Sequence, residues 1–138
     1  SPMSDLNKAM QIAASGMLAQ NVRVRVISQN IANVDSLATS PGQLPYQRQT
    51  VSFRNVFDRE LGTSKVAVHD IGVDNSEFSR RLEPGHPAAD ETGYVLLPNV
   101  KTMIEMVDLR AAQRSYQANL RVVDVARTMV SRTLELLK

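Results

Sequence analysis

Cysteine is absent from all 138 residues, which removes disulfides, thiolate metal sites and cysteine nucleophiles from consideration. That absence is compatible with work in an oxidising compartment without bridges. Tryptophan is missing too, and aromatic residues make up only 4% of a chain that is 43% hydrophobic. The apolar content is mostly Val, Leu, Ile, Met and Ala, which suits helix seams better than a broad aromatic core. No apolar run reaches the roughly 18 residues a spanning helix needs, so no transmembrane segment is expected. The first residues lack a basic stretch followed by an apolar one, so no cleavable secretory signal is expected. Ser1 and Pro2 precede Met3 and read as a remnant ahead of the natural start. A route out of the cytoplasm would have to read something else.

Histidine is scarce as well: His69 and His86 are the two in the chain. A zinc site needs three or four ligands at workable spacing, so no metal site is expected. His86, between Gly85 and Pro87, reads as a loop residue bonded to backbone. The acidic pairs Asp90-Glu91 and Asp58 with Glu60 read as solvated turns, since acid–base pairs need a cleft that separates their environments. Neither a glycine-rich phosphate loop nor a G-x-S-x-G run occurs. No catalytic residues and no cofactor are expected, and an enzyme reading has no constellation to rest on.

Net charge is +2, and its distribution says more than its sum. Residues 3–34 balance to +2, residues 35–98 to −3 with 6 basic and 9 acidic side chains, and residues 99–138 to +3. Basic ends and an acidic middle let neighbouring copies attract one another, over about 10 Å at moderate salt.

Periodicity organises the rest. Over residues 5–33 apolar positions fall at Leu6, Met10, Ala13, Met17, Val24, Ile27 and Ile31, with Gln20 in the open slot. Alternating steps of four and three define a heptad seam. Ser4 or Asp5 is the expected N-cap, and the helix should span roughly 40–45 Å. Gly16 costs about 1 kcal/mol against Ala in a helix and so marks a close backbone approach. Residues 34–45 are rich in turn formers and read as a loop. Residues 46–97 read mainly as β: strands at Tyr46–Phe53, Lys65–Val73, Phe78–Leu82 and Tyr94–Leu97, with 54–61 either a helical turn or a continued strand. Two prolines make 83–87 a loop.

Residues 99–138 read as a second helix capped by Asn99. Its seam is Met106, Leu109, Gln113, Tyr116, Leu120, Val123, Arg127, Val130, Leu134 and Leu137. Gln113 and Arg127 are the polar members, of the kind that set register at some cost in stability. Arg110, Arg114, Arg121 and Arg127 recur along this helix. They read as a polar flank beside the seam, and the alternative is phosphate contact by a nucleic-acid-binding helical protein. The predicted fold class is α+β: long N- and C-terminal helices packing as a coiled-coil-like pair, with a small β-rich insert between them. Its parts are the remnant 1–2, an N-terminal helix 3–34, a loop and β-rich middle 35–98, and a C-terminal helix 99–138. Such helices expose apolar surface until they find more partners.

Two runs carry a family resemblance. One is Ser28-Gln29-Asn30-Ile31-Ala32-Asn33, closing the first helix. The other is Glu105-Met106-Val107-Asp108-Leu109 followed by Ala112 to Asn119, which reads Ala-Gln-Arg-Ser-Tyr-Gln-Ala-Asn. Both resemble the flagellar axial proteins, the family of rod, hook and hook-associated subunits. The chain departs from the family's short turn, placing Val34 to Pro45 ahead of Tyr46. Within that family, Glu83 to Pro87, Asp90 to Gly93, Tyr94-Val95 and Pro98 to Val100 are similar to the proximal rod members, as is the small middle section. The resemblance implies a non-enzymatic subunit of the helical drive shaft, in the basal-body rod that spans the periplasm. It implies export through the flagellar type III apparatus without a cleaved signal, and terminal helices that order on assembly. It further implies copies of the chain, other rod proteins and the rod-base adaptor as partners, with no nucleic acid and no membrane insertion. The seam residues above, together with Asn33 and Asn119, are the expected assembly interface.

Overall fold

A computed structural model describes residues Ser1–Lys138. Two long helices, at the N- and C-termini, pack together, with a small antiparallel β insert between them. Helix α1 spans Pro2–Ala32. Strands β1 Gln49–Asp58, β2 Thr63–Val73, β3 Arg80–Leu82 and β4 Tyr94–Leu96 follow. Helix α2 spans Thr102–Leu136. The strands form two separate pairs, β1 with β2 and β3 with β4.

Both helix starts differ from expectation. Ser4 N–H donates to Ser1 Oγ at 3.1 Å, and Asp5 N–H to Ser1 O at 3.0 Å. Ser1 is therefore the cap, with Pro2 at the first helical position, where a missing N–H and a fixed φ cost nothing. Ser4 and Asp5 lie inside the first turn. At the other helix, the first backbone bond runs from Glu105 N–H to Lys101 O. Asn99 does not cap α2, because its side chain is committed elsewhere in the fold, as described below. At α2 the residue favoured by type is taken by competing partners, whereas at α1 the capping side chain lies three residues earlier.

The chain divides into two compact units. The first gathers Ser1–Val24, Val51–Asp70 and Arg110–Lys138. Its buried apolar residues are small: Ala13 and Ala19 on α1, Ala112 and Ala126 on α2. A Cβ added at Gly16 would sit 2.7 Å from Asn119 Nδ2, so the expected close approach falls at this pair. On α2 the inward line is Ala112, Asn119 and Ala126, seven residues apart, flanked by half-buried Tyr116, Val123 and Val130. The other half of the expected line, Gln113, Leu120, Arg127 and Leu134, is exposed. A count of large apolar side chains misplaces this face by one residue, because helices that approach closely are packed by small residues.

In the same unit, the stretch expected to be either a turn of helix or more strand is strand, and β1 runs on to Asp58. Asp58 Oδ1 accepts from Glu60 N at 3.0 Å and Leu61 N at 3.1 Å, and Gly62 takes a φ of 69°. Lys65 Nζ lies 3.0 Å from Asp58 Oδ2. The bond from Lys65 lowers the Asp58 pKa. Val66 N–H on β2 donates to Ser15 Oγ of α1 at 3.2 Å.

The second unit gathers Arg25–Thr50 and Ile71–Leu109. Val26, Ile27, Val95 and Val100 form its buried apolar part. Strands β3 and β4 pair with Arg80 opposite Leu96 and Leu82 opposite Tyr94. The connecting loop is closed by its own polar groups. Asp90 Oδ1 accepts from Thr92 N, Thr92 Oγ and Tyr94 N, and the Thr92 hydroxyl bond lowers the Asp90 pKa. His86 Nδ1 accepts from Ala88 N–H at 3.0 Å. Gly93 has a φ of 84°, open to glycine at no steric cost, and packs against Pro84.

Candidate functional site: a buried polar knot and uncovered helix faces

The largest fully buried side chains include two polar ones, Glu105 at 0% and Asn30 at 1% exposure. Burying such groups is costly unless every polar atom finds a partner. Asn30 meets that demand completely. Its Oδ1 accepts from Tyr46 Oη at 2.7 Å and Gln49 N–H at 2.9 Å, and its Nδ2 donates to Gln49 O at 2.9 Å and Glu105 Oε2 at 3.4 Å. Two donors and two acceptor positions are all an amide side chain has.

Arg48 supplies the counter-charge. Its Nε donates to Glu105 Oε1 and its Nη1 to Asp74 Oδ2 at 3.2 Å, while Nη2 lies 3.8 Å from Asp108 Oδ2. Arg48 N–H donates to Asn99 Oδ1 at 2.7 Å. The Asn99 amide in turn donates to Asp74 O at 2.9 Å and Ser76 O at 3.1 Å. The knot thus fastens the end of α1, the extended Tyr46–Gln49 segment, the 74–76 turn and the first turn of α2. Glu105 also sits where a helix N-terminus favours negative charge.

The electrostatics follow the contacts. The Glu105 bond raises the Arg48 pKa against the opposing effect of burial, so the guanidinium stays charged. Burial, helped by the Glu105 charge, pushes the Tyr46 phenol up. Hydrogen bonds from Ser76, with Arg48 adding to them, hold Asp74 below the usual carboxylate range. No group of His, Asp and Glu is arranged to hold a metal ion. Holding segments together is what the arrangement does.

The expected interface residues divide into two sets. Ala13 and Ile27 are buried inside the chain. Leu6, Met10, Met17, Val24, Ile31, Leu109, Tyr116, Asn119, Val123 and Val130 are half-buried. Met106, Gln113, Leu120, Arg127, Leu134 and Leu137 are exposed. Asn33 ends α1: its Nδ2 donates to Gln29 O at 2.8 Å and its Oδ1 accepts from Ser36 Oγ at 2.9 Å. A further apolar line that the seam reading passed over is uncovered on α2, at Met103, Val107, Val122, Val125, Met129 and Leu136.

The knot itself was not foreseen as a site. Its signal was present: Asn30 follows Ile27 by three positions on an apolar stripe, and Glu105 opens the more specific of the two resemblance runs. Arg48, Asp74 and the true role of Asn99 carry no local pattern, because their partners are distant in sequence.

Two long helices knotted at one point, with apolar lines left uncovered, define the class as a helical structural protein. Comparison with known families gives it a family. Residues 10–36 match the "Flagella basal body rod protein" family, and residues 91–136 match "Flagellar basal body rod FlgEFG protein C-terminal". The flagellar basal-body rod protein FlgC of Agrobacterium fabrum is 46% identical over 136 residues, covering 99% of this chain and 98% of the relative. FlgC of Salmonella typhimurium is 40% identical over 91% of this chain and 92% of its own length. FlgC of Borreliella burgdorferi is 34% identical over 96% and 98% respectively. The chain belongs to the FlgC family of flagellar basal-body rod proteins, structural components of the flagellum.

Proposed function

We propose that this chain is a non-enzymatic subunit of the proximal part of the rod, where it assembles through its terminal helices into the shaft that transmits torque. One observation carries the reading. α2 keeps a line of large apolar residues in solvent along its length, Leu136 being 86% exposed, and such a surface asks for further helices. The partners are copies of this chain, other rod proteins and the rod-base adaptor, with the type III export apparatus in transit. The rod crosses the periplasm; no helix of the chain is long and apolar enough to cross a membrane. Contacts whose rotation does not close generate a helical filament, and many such contacts make it stiff. The interface comprises the exposed seam residues of α2 and the half-buried ones of both helices. Nucleic-acid binding through Arg110, Arg114, Arg121 and Arg127 has no second observation behind it.

The test is complementation. In a motile bacterium deleted for its own FlgC, the tagged chain should restore swimming and co-purify with basal bodies. Cytoplasmic accumulation with no tag in basal bodies would overturn the reading. Coupling of folding to assembly is tested on the free subunit by hydrogen exchange. Fast exchange at both chain ends is expected, and full protection there would remove that part of the proposal.

A further inference from the structure

Over its first two turns α2 is turned inside out. Glu105 is its fully buried residue, while Met103 is 80% and Val107 64% exposed, and Ile104 is exposed beside them. The inversion has a geometric cause. At about 100° per residue, positions two before and two after an inward residue point some 160° away from it. Locking Glu105 into the knot with Arg48 and Asn30 therefore drives Met103 and Val107 outward. Lys101, next to this face, is exposed and makes no ion pair within the chain.

The same unit holds a second apolar surface of different shape. A depression of about 230 Å³ is lined by Leu44, Tyr94 and Leu96, with Asp90 at its edge. Leu44 and Tyr94 are both exposed. Arg80 lines it too and its charge acts on Asp90. Neighbouring Glu91 is left exposed and in no ion pair.

We propose that the Met103–Ile104–Val107 face of one copy docks into the Leu44–Tyr94 depression of a second copy, with Lys101 set against Glu91. This deepens the rod-subunit reading and rests on it. Charge complementarity favours the arrangement: Lys101 beside the Met103 face and Glu91, next in sequence to the lining residue Asp90, are both exposed, opposite in sign and without an ion pair within the chain. Area sets its strength. Three side chains fall far short of the roughly 800 Å² per partner of a stable pair. The contact therefore does not hold a free dimer and forms only where other contacts align the copies. Because the two surfaces differ, the contact is heterologous and repeats from copy to copy.

The absence of cysteine makes the test clean, because any disulfide between single-cysteine variants joins two copies. Met103→Cys and Leu44→Cys, carrying tags of different size, are co-expressed in cells lacking their own FlgC, and basal bodies are isolated under mild oxidation. The mixed 103–44 adduct should dominate there and be absent from dilute purified protein. Basal bodies that contain both variants but no mixed adduct, or mainly 103–103 adducts, would overturn the proposal. If the cysteines keep the chain out of rods, charge exchange decides. Lys101→Glu and Glu91→Lys should each lower incorporation by about tenfold, the effect expected of one lost charge pair. Together they should restore it, and failure to restore sinks the docking. Failure of the wild-type tagged chain to enter basal bodies would instead defeat the rod reading itself.

Discussion

Asn30 and Glu105 lie 75 positions apart in sequence and share a buried hydrogen bond, Asn30 Nδ2 to Glu105 Oε2 at 3.4 Å. That bond joins the end of one long helix to the start of the other. The residues on either side of it decide what should happen when it is disturbed.

Removing one partner of a buried ion pair is expected to be far worse than removing both. Arg48→Ala leaves Glu105 buried and unpaired and should cost about 3–5 kcal/mol. Arg48→Met combined with Glu105→Leu should recover most of that loss, since apolar replacements of buried pairs are often neutral. Urea denaturation of the single and double variants measures both. Equal losses in the two would mean that the pair acts through packing alone.

The knot also gives the two ends of the pH scale different origins. Asp74 is held below the usual carboxylate range. Its contribution is present above the unfolded pKa of about 3.9 and is lost as pH falls through the lower folded value. Tyr46 is pushed up, so its contribution is present below about 10 and is lost as pH rises through the raised folded value. Asp74→Asn should flatten the acid limb and leave the alkaline one, and Tyr46→Phe the reverse. Denaturation midpoints across the pH range test this, and ultraviolet titration of the tyrosines follows Tyr46 directly.

Close approach at Gly16 predicts a coupled pair. Gly16→Ala gains about 1 kcal/mol of helix propensity but drives a methyl group to 2.7 Å from the Asn119 amide. Gly16→Leu overpacks the contact and should cost about 1–3 kcal/mol. Asn119→Ala should relieve Gly16→Ala, so a double-mutant cycle should give a clear interaction energy. Additive effects would mean that the helices do not meet here in solution.

Gln113 and Arg127 are exposed on α2 and are the polar members of its expected seam. Gln113→Leu or Arg127→Leu should preserve helix content by circular dichroism while raising self-association in sedimentation. An unchanged monomer pool together with normal motility would show that neither residue sets register.

Much of the fold was legible because heptad steps and turn residues are local signals. Both long helices, the strand segments and the Glu83–Pro87 loop follow from them. The caps were missed because Ser1 was set aside as part of a remnant, leaving Ser4 or Asp5, and because Lys101 holds the position that residue preference assigns to Asn99. Half of the inward face of α2 was misplaced by one residue, because steps taken from Met106 and Leu120 run through Gln113 and Arg127, whereas Glu105, Ala112, Asn119 and Ala126 are the residues turned inward. The knot was the least legible part. Arg48, Asp74 and Glu105 become a unit only once three distant segments meet, and nothing in the run around Arg48 announces it.

The inward line of α2 bears on translation along the helix. Ala112 and Ala126 are identical knobs two heptads apart, about 21 Å along the helix, so that pair by itself does not fix a setting. Glu105 and Asn119 remove that degeneracy, because neither has a second copy at the matching repeat. With the unlike flanks Tyr116 and Val130, they act as index marks on a ruler whose alanines repeat.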